Sequence, residues 1–237
     1  MVAMTGSVWS RERPAPAPRD TLNRELIVRA ALEMLDADGL AGLSMRKLGA
    51  KLNAGATSLY WHVQTKDDLI ELVLDEVYSE IDVPGAELAG WRSGVTLFAH
   101  SFRAAMLRHP WYPEVATTTP SMGPNAVALS GRVLTLLRAA GFTGVDVDLA
   151  SGSIIAYVLG VTSSELSWRA MLARSGKSVR EWVDEATALA MQAARDNPQV
   201  RESVQARSGA DPAELQERMF AFGLESLLDG LAARARC

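Results

Sequence analysis

Cysteine is all but missing: Cys237 is the only one in 237 residues, so no disulfide can form within the chain, and a reducing cytoplasm is the expected compartment. Histidine is nearly as scarce. His62, His100 and His109 form neither an HExxH pattern nor a ligand pair at i, i+4, so no metal and no cofactor is expected. Catalytic signatures are missing too: there is no GxSxG, and the glycines build neither a phosphate loop nor a GxGxxG behind a strand. The acids at Glu214/Glu217 and at Asp67, Asp68 and Glu71 read as helix-start and solvated-face groups, so an enzyme is not expected. No apolar run reaches the roughly 18 residues of a membrane span. The first twenty residues hold charges and prolines where a signal peptide would have its apolar stretch. Alternating strand patterns are absent, which leaves an all-helical chain.

Hydrophobic residues make up 48% and charged residues 22%, enough for a sizeable core in one or two domains. The net charge of −4 is unevenly spread. Residues 1–66 carry nine basic and six acidic side chains, leaving 15 basic and 22 acidic for the rest. A mildly basic front and an acidic remainder suit a head that meets DNA on a body that does not, although chance composition gives the same numbers.

Residues 1–20, rich in Pro and Ala, read as a disordered arm. Arg11, Arg13 and Arg19 could reach phosphates or a minor groove, or simply be solvated. Asn23 caps a first helix, stapled by Leu22 and Ile27, and Ile27, Ala30, Ala31, Met34 and Leu35 form its apolar face until Gly39 ends it. Next comes LSMRKLGAKLNAGATSLYWHVQTKDDLI, residues 43–70. Ser44 caps a short helix that packs through Leu48 and Leu52, and Asn53-Ala54-Gly55 makes a tight turn. A second helix, 56–62, displays Thr57, Ser58, Tyr60 and His62 while Leu59 and Val63 point inward. This is a helix-turn-helix pattern, and a short, polar second helix nearly free of acid suits the major groove. Thr65 and Asp68 start a fourth helix running toward Pro84. Further helices are expected at 91–109, 125–140, 145–167, 179–196 and 212–235, with proline and glycine breaking 110–124 into a loop or one short helix. The domains expected are therefore the arm at 1–20, a DNA-binding head at 21–66 and a helical domain at 67–237, with 67–82 as connecting helix.

The tokens ALEMLDADGLAGLSMRKLGAKL and SLYWHVQTKDDL strongly resemble the DNA-binding domain of the TetR family of bacterial transcriptional regulators. HSFRAAMLRHP, LLRAAGF and FAFGLESLLDGL resemble the ligand-binding and dimerisation domain of its tetracycline-repressor branch. The resemblance implies a homodimer of Ω-shaped, all-α subunits, each with a three-helix helix-turn-helix head and a helical-bundle domain for ligand and dimer. Two recognition helices would enter successive major grooves of a palindromic double-stranded DNA operator. Family DNA contacts then fall on Ser44, Arg46, Ala56, Thr57, Ser58, Tyr60, His62 and Lys66. Ser44 and Lys66 sit at helix N-termini, where amides favour phosphate. Tyr60 and His62 can donate to phosphate, Arg46, Thr57 and Ser58 reach base edges, and Ala56 offers only an apolar contact. Trp61 is expected to pack the recognition helix onto the first and fourth helices.

The magnesium–tetracycline site is expected to be lost, because Asp82, Phe98 and Ala116 stand where that branch has histidines and an asparagine, and only the aromatic at Phe102 persists. The effector implied instead is a small hydrophobic or aromatic molecule among Phe98, Phe102, Met106, Trp111, Tyr112, Met122 and Tyr157, with polar contacts from His100, Asn125, Thr162 or Glu165. Taken singly, an aromatic at helical spacing is core more often than pocket. Small residues Ser151, Gly152, Ser153, Ala156 and Gly160, with Met219, Phe222, Leu224, Leu227, Leu228 and Leu231 on the last helix, suggest a four-helix dimer interface or burial within one chain. The expected function is a ligand-released repressor. The alternative is a DNA-binding protein of the same fold controlled by a protein partner, or one that organises DNA.

Overall fold

A computed structural model describes residues 22–235. The arginines of the N-terminal arm and Cys237 lie outside them. Among the described residues every regular element is a helix: α1 Arg24–Gly42, α2 Met45–Lys51, α3 Ala56–Tyr60, α4 Lys66–Ser79, α5 Ala86–Arg108, α6 Tyr112–Ala116, α7 Pro124–Ala139, α8 Asp146–Ser175, α9 Val179–Ala193, α10 Pro198–Arg207 and α11 Pro212–Ala235. The chain divides into two compact units, Met1–Leu159 with Ala232–Cys237, and Gly160–Leu231.

In the first unit, helix starts follow the capping residues. Asn23 accepts from the Leu26 amide at 2.8 Å, Ser44 from Lys47 at 3.2 Å and Thr65 from Asp68 at 3.0 Å, each satisfying a donor left open by helix geometry. Gly39 (φ 65°) breaks α1 where it was expected to end, and Gly90 (φ 70°) breaks α5 so that its straight part begins at Trp91. The α1 face of Ile27, Ala30, Ala31, Met34 and Leu35 is buried, together with Leu48, Leu59, Val63, Leu69, Val73 and Val77. α4 packs on α1 and on α7, and α7 packs on α5, closing a second core around Val95, Phe98, Ala99, Phe102, Met106, Val133, Leu136 and Leu137.

Two expectations are corrected here. Asp68 (3% exposed) and Glu71 (7%) are buried rather than on a solvated face, because α4 is enclosed on more than one side by its neighbours. α4 also carries the buried Asp75, whose carboxylate accepts from the amides of Ala126 (2.9 Å) and Asn125 (3.3 Å) and so caps α7 from another helix. Gly123 makes this possible: a Cβ there would stand 2.2 Å from the Asp75 carboxyl carbon.

In the second unit, the end of α8 is tied to α9 by the edge-on rings of Trp168 and Trp182, 5.8 Å apart. α9 opens on a full capping box between Ser178 and Glu181, whose carboxyl is held below the usual carboxylate range by those Ser178 hydrogen bonds. α10 was not expected: its sequence PQVRESVQAR has almost no apolar face, and Asn197 followed by Pro198 is its start signal.

Candidate nucleic-acid interface and effector region

Between Gly39 and Lys66 the chain has no Asp or Glu but carries Arg46, Lys47, Lys51 and Lys66. α2 and α3 fall within this stretch. The turn between them closes through the Ala54 amide on the Gly49 carbonyl (2.9 Å), and Asn53 adopts φ 51°. The backbones approach so closely that a Cβ on Gly49 would lie 2.8 Å from the Ala54 carbonyl oxygen. Lys51 pairs with Glu33 at 2.8 Å, which fastens α2 to α1 and lowers the Glu33 carboxyl below its ordinary range.

Leu59 and Val63 are buried, which turns the other side of α3 outward. Arg46, Thr57, Ser58 and Tyr60 are exposed, while Ser44, Ala56 and His62 are half-buried at the margin. Lys66 is half-buried and donates to the Leu40 carbonyl at 3.3 Å, so it also ties the start of α4 to the end of α1. Trp61 does not pack inward as expected. It is 77% exposed, because at 100° per residue it lies opposite Leu59 and shares a face with Thr57 and Ser58. Helical spacing carried that signal, and the size of the indole obscured it. With its N–H donor and flat ring, Trp61 joins the outward-facing groups of the candidate interface.

The aromatic residues expected around an effector gather in part. Phe98 stacks on Phe102 (5.8 Å), Phe102 meets Tyr112 edge-on (5.6 Å), and Tyr112 meets Tyr78 (6.1 Å). The Tyr112 hydroxyl donates to that of Tyr78 (3.2 Å), which shares a hydrogen bond with Ser121 (2.6 Å). Burial raises the Tyr112 phenol far above its normal range. Met106 and Trp111 are buried nearby in sequence, and the Trp111 indole donates to Asp36 on α1 at 2.7 Å. Tyr157 is half-buried on α8, whereas Met122 is exposed on the loop before α7. Of the polar candidates, His100 and Asn125 are half-buried. Glu165 is buried and pairs with Arg169 (2.6 Å), and Thr162 is buried with its hydroxyl unmatched among the described residues. At the three positions where the tetracycline ligands were expected to be replaced, Asp82 is exposed, Phe98 buried and Ala116 half-buried. Tyr78 and Trp61 were not foreseen as site residues.

An acid-free helix-turn-helix with polar and aromatic side chains facing out, followed by helices around an aromatic interior, defines a DNA-binding protein of the two-part kind. The chain belongs to the TetR family: the model of bacterial regulatory proteins of that family matches residues 27–73, and that of the tetracyclin repressor-like C-terminal domain matches 83–235. It is thus a TetR-family transcriptional regulator. An HTH-type transcriptional regulator of Saccharopolyspora erythraea is 44% identical over 164 residues, 69% of this chain and 70% of that protein. The HTH-type transcriptional repressor DrrR1 of Streptomyces coeruleorubidus is 36% identical over 222 residues, 92% of this chain and 80% of the repressor. The crystal structure of the TetR family protein ActR of Streptomyces coelicolor in complex with actinorhodin matches with a TM-score of 0.76 at 30% identity, covering 92% of this chain and 99% of ActR.

Proposed function

We propose that this regulator is a repressor that binds a palindromic duplex operator as a homodimer in the cytoplasm and is released by a small hydrophobic or aromatic effector. The observation that carries the reading is the outward face of the acid-free helix-turn-helix, where Arg46, Thr57, Ser58, Tyr60 and Trp61 stand free of the core. Ser44, Ala56, His62 and Lys66 lie at its rim, and the tie from Lys66 to Leu40 adds a structural duty to its expected phosphate contact. The printed descriptions of DrrR1 as a repressor and of ActR bound to actinorhodin support the mode of action and the class of ligand.

The effector region proposed is the cluster of Phe98, Phe102 and Tyr112 with the buried Met106 and Trp111, the half-buried Tyr157 on α8, His100 and Asn125 as polar candidates, and Tyr78 added for its hydroxyl. Since α4 carries both the start of the head's support and the Tyr78 hydroxyl, a ligand that rearranges these rings acts on α4 directly. A coupling of about 1–3 kcal/mol is typical for one such link. Moving a site from mostly bound to mostly free takes about 5.5 kcal/mol.

A gel shift at about 150 mM salt, with the DNA upstream of the protein's own gene and a panel of hydrophobic antibiotics and metabolites, tests the reading. A palindrome-dependent shift released by one compound is the expected result. A shift indifferent to sequence would discard the operator, and a specific shift that no compound affects would favour control by a partner protein.

A further inference from the structure

At the corner where α5 gives way to α6 lies a polar knot that the DNA-facing surface does not use and that meets the proposed effector region only at Trp111. His109, only 2% exposed, is its centre. Its Nδ1 is 2.7 Å from Asp36 Oδ1 on α1, and its Nε2 is 3.2 Å from Glu80 Oε2 at the end of α4. The Trp111 indole donates to the same Asp36 oxygen, and Arg108 on α5 pairs with Glu80. The ionisable groups around the ring are therefore Asp36 from α1, Glu80 from the end of α4, and Arg108 from α5 acting through Glu80.

Counting donors favours one state of the ring where both carboxylates are ionised. An ionised carboxylate only accepts, and a neutral imidazole has a single N–H, so one of its nitrogens would set a lone pair against a carboxylate oxygen. With both nitrogens protonated, both contacts become charge-assisted hydrogen bonds. The knot then holds two positive and two negative charges, the balance a buried cation needs. The three helices joined have different duties: α1 is the floor of the DNA-binding head, α4 leads away from it, and α5 carries Phe98 and Phe102.

We propose that His109 is a positioning residue for DNA recognition: as an imidazolium shared between Asp36 and Glu80, it clasps α1 to the ends of α4 and α5 and so fixes the posture of the head. This rests on the reading that the chain binds a two-half-site operator. Removing the ring proton turns one of the two hydrogen bonds into a repulsive contact and loosens the clasp. Operator affinity then falls as pH rises, and the protein tolerates half-site spacings that it otherwise rejects.

The test uses the full chain and a duplex selected by the wild-type protein from a randomised pool, with binding measured across pH at constant salt. Imidazole ¹⁵N spectra of the wild type without DNA are recorded over the same pH range. Both nitrogens of the buried ring should carry protons wherever the operator is held tightly, and the neutral tautomer should emerge where affinity falls. H109Q should lose about tenfold in affinity, a typical size for a linked site. It should also show a flattened pH profile and accept spacings one base pair longer or shorter. D36N should lose a similar factor, and the double variant little more than either alone. If H109Q does not fold, H109N, whose amide nitrogen reaches the Nδ1 position, and the wild-type spectra decide. Wild-type affinity and pH profile in H109Q or H109N would overturn the proposal, as would spectra showing one bare nitrogen where the operator is tightly bound. Failure of the wild type to select any duplex would overturn the DNA reading and this clasp together, whereas selection followed by an unchanged His109 variant overturns the clasp alone.

Discussion

Tyr60 and Trp61 stand side by side on the outer face of the head, 48% and 77% exposed, and neither contributes to the core. Tyr60→Ala should therefore weaken binding to every DNA sequence alike, by about tenfold, and lower the slope of log affinity against log salt if its hydroxyl sits on a phosphate. Titrations at several salt concentrations check this, with thermal stability expected within about 0.5 kcal/mol of wild type. Phe102 presents the opposite case. Buried between Phe98 and Tyr112, its truncation to alanine should cost about 3 kcal/mol in urea unfolding and alter release by the effector, while the folded protein keeps its operator affinity. Tyr112 gives a pH-dependent effect. Its phenol is raised above the ordinary value of 10.0, so the folded chain keeps the ring neutral at pH values where the unfolded chain would ionise it. Stability is intact below about pH 10 and declines above it. Tyr112→Phe should remove that part of the alkaline loss, measured as urea midpoints on either side of pH 10.

Asp75 shows what a connecting helix needs beyond an apolar stripe. It reaches from α4 to the first amides of α7, and Gly123 leaves the room for it. Asp75→Ala strips a buried helix start of its acceptor and should destabilise by about 1–3 kcal/mol. Gly123→Ala should act in the same direction by displacing the carboxylate, and the two together should fall short of additive, which a denaturation cycle would reveal. Much at this scale was legible from sequence: the caps at Asn23, Ser44 and Thr65, the break at Gly39, the inward Leu59 and Val63, and the start of α11 at Pro212 depend only on neighbours in the chain. The features that escaped depend on distant residues. Asp68, Glu71 and Asp75 are buried because α4 has neighbours on several sides, which no local pattern of charges reveals. The aromatic cluster was readable as a set of bets, but the exposure of Met122 and the hydroxyl chain through Tyr78 required the packing of α4 against the α6–α7 segment.

Over the molecule as a whole, apolar surface is left in the open on two long helices. Leu149 near the start of α8 is 62% exposed, and Phe222 and Met219 on α11 are 75% and 52% exposed, while Leu224, Leu228 and Leu231 are buried. By length and composition α8 could cross a membrane, at a mean hydropathy of 1.3, yet its uncharged run, residues 149–164, is bracketed by Asp148 and Glu165. A second copy of the chain is the cover we propose for these faces, along the stripe of Ser151, Gly152, Ser153, Ala156 and Gly160 that lets helices approach. Leu149→Asp or Phe222→Asp should yield monomers in sedimentation at micromolar concentration and weaken a two-half-site operator by at least about tenfold, leaving a single half-site unaffected. A variant that stays dimeric would remove its face from the interface.

The division of labour along α3 and the residues just after it also has an evolutionary side. Leu59 and Val63 hold the helix in place, while Thr57, Ser58 and Trp61 stand apart from the core. Substitutions at those outward positions cost the fold little. Where these positions read the operator, as proposed, a duplicated copy of this regulator can shift to new target genes without first passing through an unstable ancestor.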